Sequence, residues 1–124
     1  MVAESPVGVL VVDDQEPFRK VVRELIDALP EFELVGEATS GADALSALEA
    51  LSPQFVIVDK RMPGLTGIET ARLITARRPG TVVLIVSLEE PDLAARDSAG
   101  AAAFVRKQEL STTLLREVWR EHGS

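Results

Sequence analysis

Cysteine is missing from all 124 residues. That excludes disulfides, cysteine-ligated zinc, iron–sulfur clusters and thiolate nucleophiles, and it fits a cytoplasmic setting. Positive charge is also scarce: 13 Lys and Arg stand against 20 Asp and Glu, a formal net charge of −7. Such a balance makes the chain a poor grip on a phosphate backbone, so direct contact with nucleic acid is not expected. No apolar run exceeds strand length, so no membrane span is expected, and the start Met1–Glu4 lacks the basic character of a signal peptide. Heptads, repeats, low-complexity tracts and linkers are absent, which leaves one domain over residues 1–124. Neither a dinucleotide-binding glycine fingerprint nor a phosphate-binding glycine–lysine loop occurs. The chain is nonetheless 46% hydrophobic, enough for a core without covalent staples.

What is present is an alternation of apolar runs and helical patterns, repeated five times. Gly8–Asp13, Phe32–Ala38, Phe55–Asp59, Val82–Ser87 and Ala103–Val105 read as strands. The second is the most polar and so belongs nearer an edge. Between them, Pro17–Leu29 carries Phe18, Val21, Val22, Leu25, Ile26 and Leu29 at helical spacing. Ser40 is placed to cap a helix running to Leu51, and a further helix follows the turn Met62–Gly67 and ends at about Arg78, before Pro79-Gly80. Pro91–Ser98 predicts only a weak, short helix, with Leu93, Ala94 and at most Ala95 to bury, and Leu110–Glu121 predicts the last one. Buried strands separated by helices imply a parallel α/β sheet covered on both faces.

In such sheets ligands collect at the carboxyl ends of the strands. Here the first strand ends in Asp13-Asp14, the third in Asp59 and the fourth in Ser87, while Lys107 lies just beyond the fifth. If the first and third strands are neighbours, three carboxylates and one ammonium converge with two net negative charges. A single divalent cation neutralises them, and Mg²⁺, hard and oxygen-seeking, suits the set. Zinc suits it poorly, because the only histidine, His122, sits in the last helix. A carboxylate in such a cluster can attack phosphorus, with the ammonium shielding the incoming charge and Ser87 hydrogen-bonding the arriving oxygens. Taken one at a time, the same residues have plainer explanations. A strand-end Asp is commonly an Asx turn or helix cap, Ser87 a cap and Lys107 a solvated side chain. Phe104 and Trp119 read as packing residues, and His122 as a surface group.

The segments VLVVDDQ, VDKRMPGLTG, VS at Ser87 and GAAAFVRK together resemble the receiver domain of bacterial two-component response regulators, most of all the LuxR/NarL type. The resemblance spans Gly8 to Trp119. It implies a flavodoxin-like (βα)5 fold, a doubly wound parallel five-stranded sheet of order 2-1-3-4-5. It also implies that Asp59 accepts phosphate from a sensor histidine kinase, with Mg²⁺ held by Asp14, Asp59 and the backbone carbonyl of Arg61, and by Asp13 through water. Lys107 would contact the phosphoryl group, and Ser87 and Phe104 would be the switch pair. Phe104 would fill from outside the space that Ser87 vacates. A homodimer through the fourth helix, fifth strand and fifth helix is further implied, as is a DNA-binding parent protein controlling transcription. The domain would not be an enzyme beyond its own phosphorylation and dephosphorylation.

Three departures from the family pattern bear on this reading. The interval from Ser87 to Lys107 is short by about two residues, which falls on the fourth helix. Leu88 stands where a small residue is frequent and could narrow the phosphate entrance. Gln108 replaces a frequent proline, a mild change within the LuxR/NarL type. Arg61 and Glu89, each two residues beyond a site residue, could pair across the entrance or be two independent solvated charges. Two other functions stay open: a phosphorylation-independent interaction module, favoured by Leu88 and the short helix, and a small metal-dependent phosphohydrolase, for which no further acid or base is visible.

Overall fold

A computed structural model describes residues 5–123; Met1–Glu4, where no signal peptide is expected, and Ser124 lie outside the described residues. Five strands, β1 (Val7–Val12), β2 (Phe32–Ala38), β3 (Phe55–Asp59), β4 (Val82–Ser87) and β5 (Ala103–Arg106), form one sheet. All pairs are parallel, in the order β2-β1-β3-β4-β5. Five helices connect and follow them: α1 (Glu16–Asp27), α2 (Gly41–Leu51), α3 (Gly67–Arg77), α4 (Leu93–Ala99) and α5 (Thr112–His122). This is the doubly wound (βα)5 architecture the sequence predicts, with β2 at the edge.

The strands' period of two sorts their side chains into two cores. Leu10, Val12, Val56, Val58, Val83 and Ile85 pack with Ala44 and Leu48 of α2, Ala71 and Ile74 of α3, and Ala99 of α4. The alternate residues Val9, Val11, Phe55, Ile57, Leu84 and Val86 pack with Val22 and Ile26 of α1 and with Leu115 and Val118 of α5. Trp119 closes that second core by stacking on Phe55, ring centroids 5.8 Å apart. Because the central strands are covered on both faces, their apolar runs are continuous. Among the described residues no helix is long and apolar enough to cross a membrane.

Boundary differences have local causes. Ser40 caps α2 as expected, its side chain accepting from the Asp43 N–H. α3 starts from a capping box between Thr66 and Glu69 and ends at Arg77, one residue early. α4 departs most. Asp92, not a residue before it, is the N-cap, so the helix begins at Leu93 and runs to Ala99. That shift turns Leu93 and Ala94 to solvent and buries Ala99 in their place. Val21 is likewise exposed, since the buried face of α1 runs through Val22 and Ile26. β5 extends one residue further than predicted, to Arg106, and a short 3₁₀ turn, Lys107–Glu109, precedes α5.

Candidate functional site

Strand register brings the site residues together. Val12 pairs with Val58, so Asp13 and Asp59 emerge side by side from the neighbouring strands β1 and β3. Asp59 pairs in turn with Val86, and Ser87 with Arg106, which places Ser87 and Lys107 at the next two strand ends. α3 comes in close against this edge: a Cβ on Gly67 would lie 1.9 Å from the Asp59 backbone oxygen. Only glycine permits that approach.

Asp13 is fully buried. Its Oδ1 accepts from the Gln15 N–H at 2.8 Å, and its Oδ2 accepts from Lys107 Nζ at 2.7 Å. The Asp13 carbonyl also accepts from the Arg19 guanidinium at 2.8 Å. Asp59 is 6% exposed, with its Oδ1 3.6 Å from Lys107 Nζ. Burial and then the neighbouring Asp13 charge push the Asp59 pKa up, against the pull of Lys107 and the Arg61 N–H. Asp14 is half-buried, and one carboxylate oxygen each from Asp13, Asp14 and Asp59 lie within 4.8 Å of one another.

The donor set fits a divalent cation. Three hard oxygen ligands converge on a spot where one ammonium leaves negative charge uncompensated, and the Asp13 charge adds to burial in raising the Asp59 pKa. Asp13 has both carboxylate oxygens engaged, whereas Asp14 has only a long contact from Gln15 Nε2 at 3.4 Å.

A response regulator receiver domain is matched over residues 9–118. The chain belongs to that family. Among solved receivers, the signal receiver domain of the putative response regulator NarL from Mycobacterium tuberculosis is 31% identical, with a TM-score of 0.84, covering 96% of this chain and 98% of that one. The response regulator domain of Thermotoga maritima CheB is 30% identical, with a TM-score of 0.83, covering 95% and 96%. Among curated proteins, a protein-glutamate methylesterase/protein-glutamine glutaminase of Symbiobacterium thermophilum is 40% identical over 95% of this chain but only 33% of its own length. The transcriptional regulatory protein DegU of Brevibacillus brevis is 27% identical, with half its length covered. The receiver thus spans a third to a half of these curated relatives, one named as a methylesterase and the other as a transcriptional regulatory protein. The aligned portion is the receiver, a signalling module and not an enzyme, so the esterase names describe those proteins and not these residues.

The receiver's remaining predicted residues fall as follows. Ser87 is buried, its Oγ accepting from the Glu89 N–H at 3.0 Å. Phe104 is not outside the fold: at 4% exposure it already packs in the core cluster with Met62, Ile85 and Ala99. The expected outward starting position is therefore corrected. Leu88 is 74% exposed, so its bulk points to solvent and does not seal the carboxylates. Arg61 and Glu89 are joined, Nε to Oε1 at 2.5 Å, which replaces the picture of two independent charges. Each shifts the other toward its ionised form, raising the Arg61 pKa and lowering that of Glu89. His122 is exposed in the last turn of α5. Sequence reasoning missed the part played by the start of α1: Arg19 bonds the Asp13 carbonyl, and the Phe18 ring lies against Lys107. Phe18 was legible as a helix-stripe residue, but nothing in the pattern points it at a lysine 89 positions away.

Proposed function

We propose that this receiver is a phosphorylation-operated switch whose phosphoacceptor is Asp59. An Asp59 carboxylate oxygen attacks the phosphorus of a phosphohistidine on a sensor histidine kinase. The new O–P bond forms as the P–N bond breaks, and the imidazole nitrogen leaves with its electron pair and takes a proton. The observation that supports this most is a nearly buried, charge-loaded Asp59 with Lys107 Nζ 3.6 Å away, poised to follow the arriving charge. Mg²⁺, held by Asp14, Asp59 and the Arg61 carbonyl and reached by Asp13 through water, would supply the charge neutralisation that a dianionic phosphoryl group requires.

Ser87 then exchanges its bond from the Glu89 N–H for one to a phosphoryl oxygen. The loop after β4 moves with it, and Phe104, already inward, holds the shifted arrangement. Phosphorylation adds about −1.5 to −2 charge at one spot, so it biases an existing equilibrium of that loop and α4 and does not build a new fold. The Arg61–Glu89 pair lies where a hydrolytic water would approach and prolongs the modified state. The receiver works in the cytoplasm, pairs with a second copy through α4, β5 and α5, and acts on transcription through a LuxR/NarL-type DNA-binding partner domain without touching nucleic acid itself.

Incubation with acetyl phosphate and Mg²⁺, followed by intact mass measurement, tests the reading. Wild type should gain one phosphate and Asp59→Ala none. No gain with acetyl phosphate or with kinase preparations would favour a phosphorylation-independent interaction module, for which the short α4 and the exposed Leu88 and Leu93 speak.

A further inference from the structure

Lys107 is held from three sides, and only two of them are charged. Its side chain is 13% exposed, with Nζ 2.7 Å from Asp13 Oδ2 and 3.6 Å from Asp59 Oδ1. On the third side Nζ lies over the ring of Phe18, 4.4 Å from its centroid. That is well inside the range over which an ammonium is drawn to the negative face of an aromatic ring. Phe18 sits half-buried in the first turns of α1, where Pro17 fixes the start of the helix and Arg19, the next residue, bonds the Asp13 carbonyl. Its backbone is therefore anchored to the same strand end as the carboxylates.

We propose that Phe18 is a positioning residue for Lys107, its ring face serving as the seat on which the ammonium pivots from Asp13 toward a phosphoryl group on Asp59. This rests on the phosphoacceptor reading above and deepens it. A lysine bonded only to carboxylates would be held by the anions it must leave. A neutral ring differs in three ways: it attracts the ammonium without adding charge to an already negative cluster, it excludes water from that side, and its attraction has no single direction. Nζ can thus rotate toward a new anion while staying on the ring. The long, flexible side chain is then ordered before phosphate arrives, so its conformational entropy is not lost at the reacting step.

The test replaces Phe18 in the full chain with phenylalanines carrying one, two and three ring fluorines, which weaken the ring's negative face at nearly constant shape. The rate of Asp59 phosphorylation by acetyl phosphate should fall stepwise, about fivefold at the trifluorinated residue, with Phe18→Leu at least as slow and thermal stability of the fluorinated series unchanged. In a Lys107→Ala background the slope should vanish. Equal rates across the series, or the same slope without Lys107, would overturn the proposal and leave Phe18 a packing residue. A second measurement does not depend on phosphorylation. The Phe18 ring current should move the Lys107 methylene protons next to Nζ upfield in the proton NMR spectrum, and Phe18→Leu should abolish that displacement. If wild type takes up no phosphate, the phosphoacceptor reading fails while the NMR result still decides the ring seat: an absent ring-current displacement overturns it.

Discussion

On the α1 side of the site the polar groups are held from several directions, whereas on the α4 side the loop after β4 is tied by ion pairs that lie in water. Asp13 is fully buried and bonded to Gln15 and Lys107, and its carbonyl to Arg19. Across the site, Glu89 and Glu90 reach Arg61 and Arg106 from an exposed loop, and α4 has only seven residues, with Leu93 left in solvent. Removing one partner of a buried pair costs about 3–5 kcal/mol, while an exposed pair contributes about 0–1 kcal/mol. The α1 flank is therefore fixed and the α4 flank is cheap to move, as the proposed phosphorylation switch requires. A switch needs both: rigid chemistry beside a segment whose alternative arrangements lie close in free energy.

The rigid flank can be challenged where it is tightest. Gly67→Ala should cost about 3 kcal/mol or more in denaturant unfolding, because the new methyl meets the Asp59 backbone and not a flexible side chain. A near-neutral result would mean that α3 can retreat from Asp59, and the contrast between the flanks would collapse.

A smaller effect of opposite sign is expected at Asp59 itself. Its pKa is raised by burial and by Asp13, so the folded state binds a proton more readily than the unfolded chain. Stability is then lost as pH rises from the ordinary Asp value, near 3.9, through the raised folded one. Asp59→Asn escapes that loss and should be more stable than wild type by about 0.5–2 kcal/mol at neutral pH without divalent cation. The advantage should disappear below the ordinary Asp pKa. It should also narrow when Mg²⁺ is added, because the ion stabilises the wild type by binding its folded form. Thermal unfolding across pH checks both; an Asn variant no more stable at neutral pH would show that the carboxylate is not under strain.

The soft flank should yield the least in stability and the most in lifetime. Arg61→Ala and Glu89→Ala should each change unfolding free energy by less than about 1 kcal/mol. Each should also speed loss of phosphate from the modified protein by about threefold, an effect of the same energetic size. Unchanged hydrolysis rates in both variants would remove the pair from the entrance.

Much of this division is legible in the order of the amino acids alone. Continuous apolar runs such as Val82–Ser87 announce strands buried on both faces, and the acidic residues closing two of them point to the site only together with Ser87 and Lys107, since a strand-end Asp alone reads as a cap or turn. Asp13, Asp14, Asp59 and Lys107 meet as the register dictates. What the pattern hides is set by contacts between distant segments. The start of α4 depends on which of several polar residues caps it, and Asp92 wins over the proline signal one residue earlier. Phe104 reads as a packing residue from its apolar character and is one, but an aromatic in a short edge strand does not reveal that it already packs inward in place of entering from outside. The Phe18–Lys107 contact joins α1 to the residue after β5, and periodicity within a helix records only the face, not the group that the face meets.

Borohydride reduction of the acetyl phosphate-treated protein, followed by peptide mass spectrometry, bears most directly on the claim that Asp59 is the acceptor in a cation-dependent carboxylate cluster. An acyl phosphate at Asp59 should be trapped as homoserine at position 59, in Mg²⁺ and not in chelator. Homoserine at position 13 or 14, or none at position 59 when Mg²⁺ and donor are in excess, would contradict it.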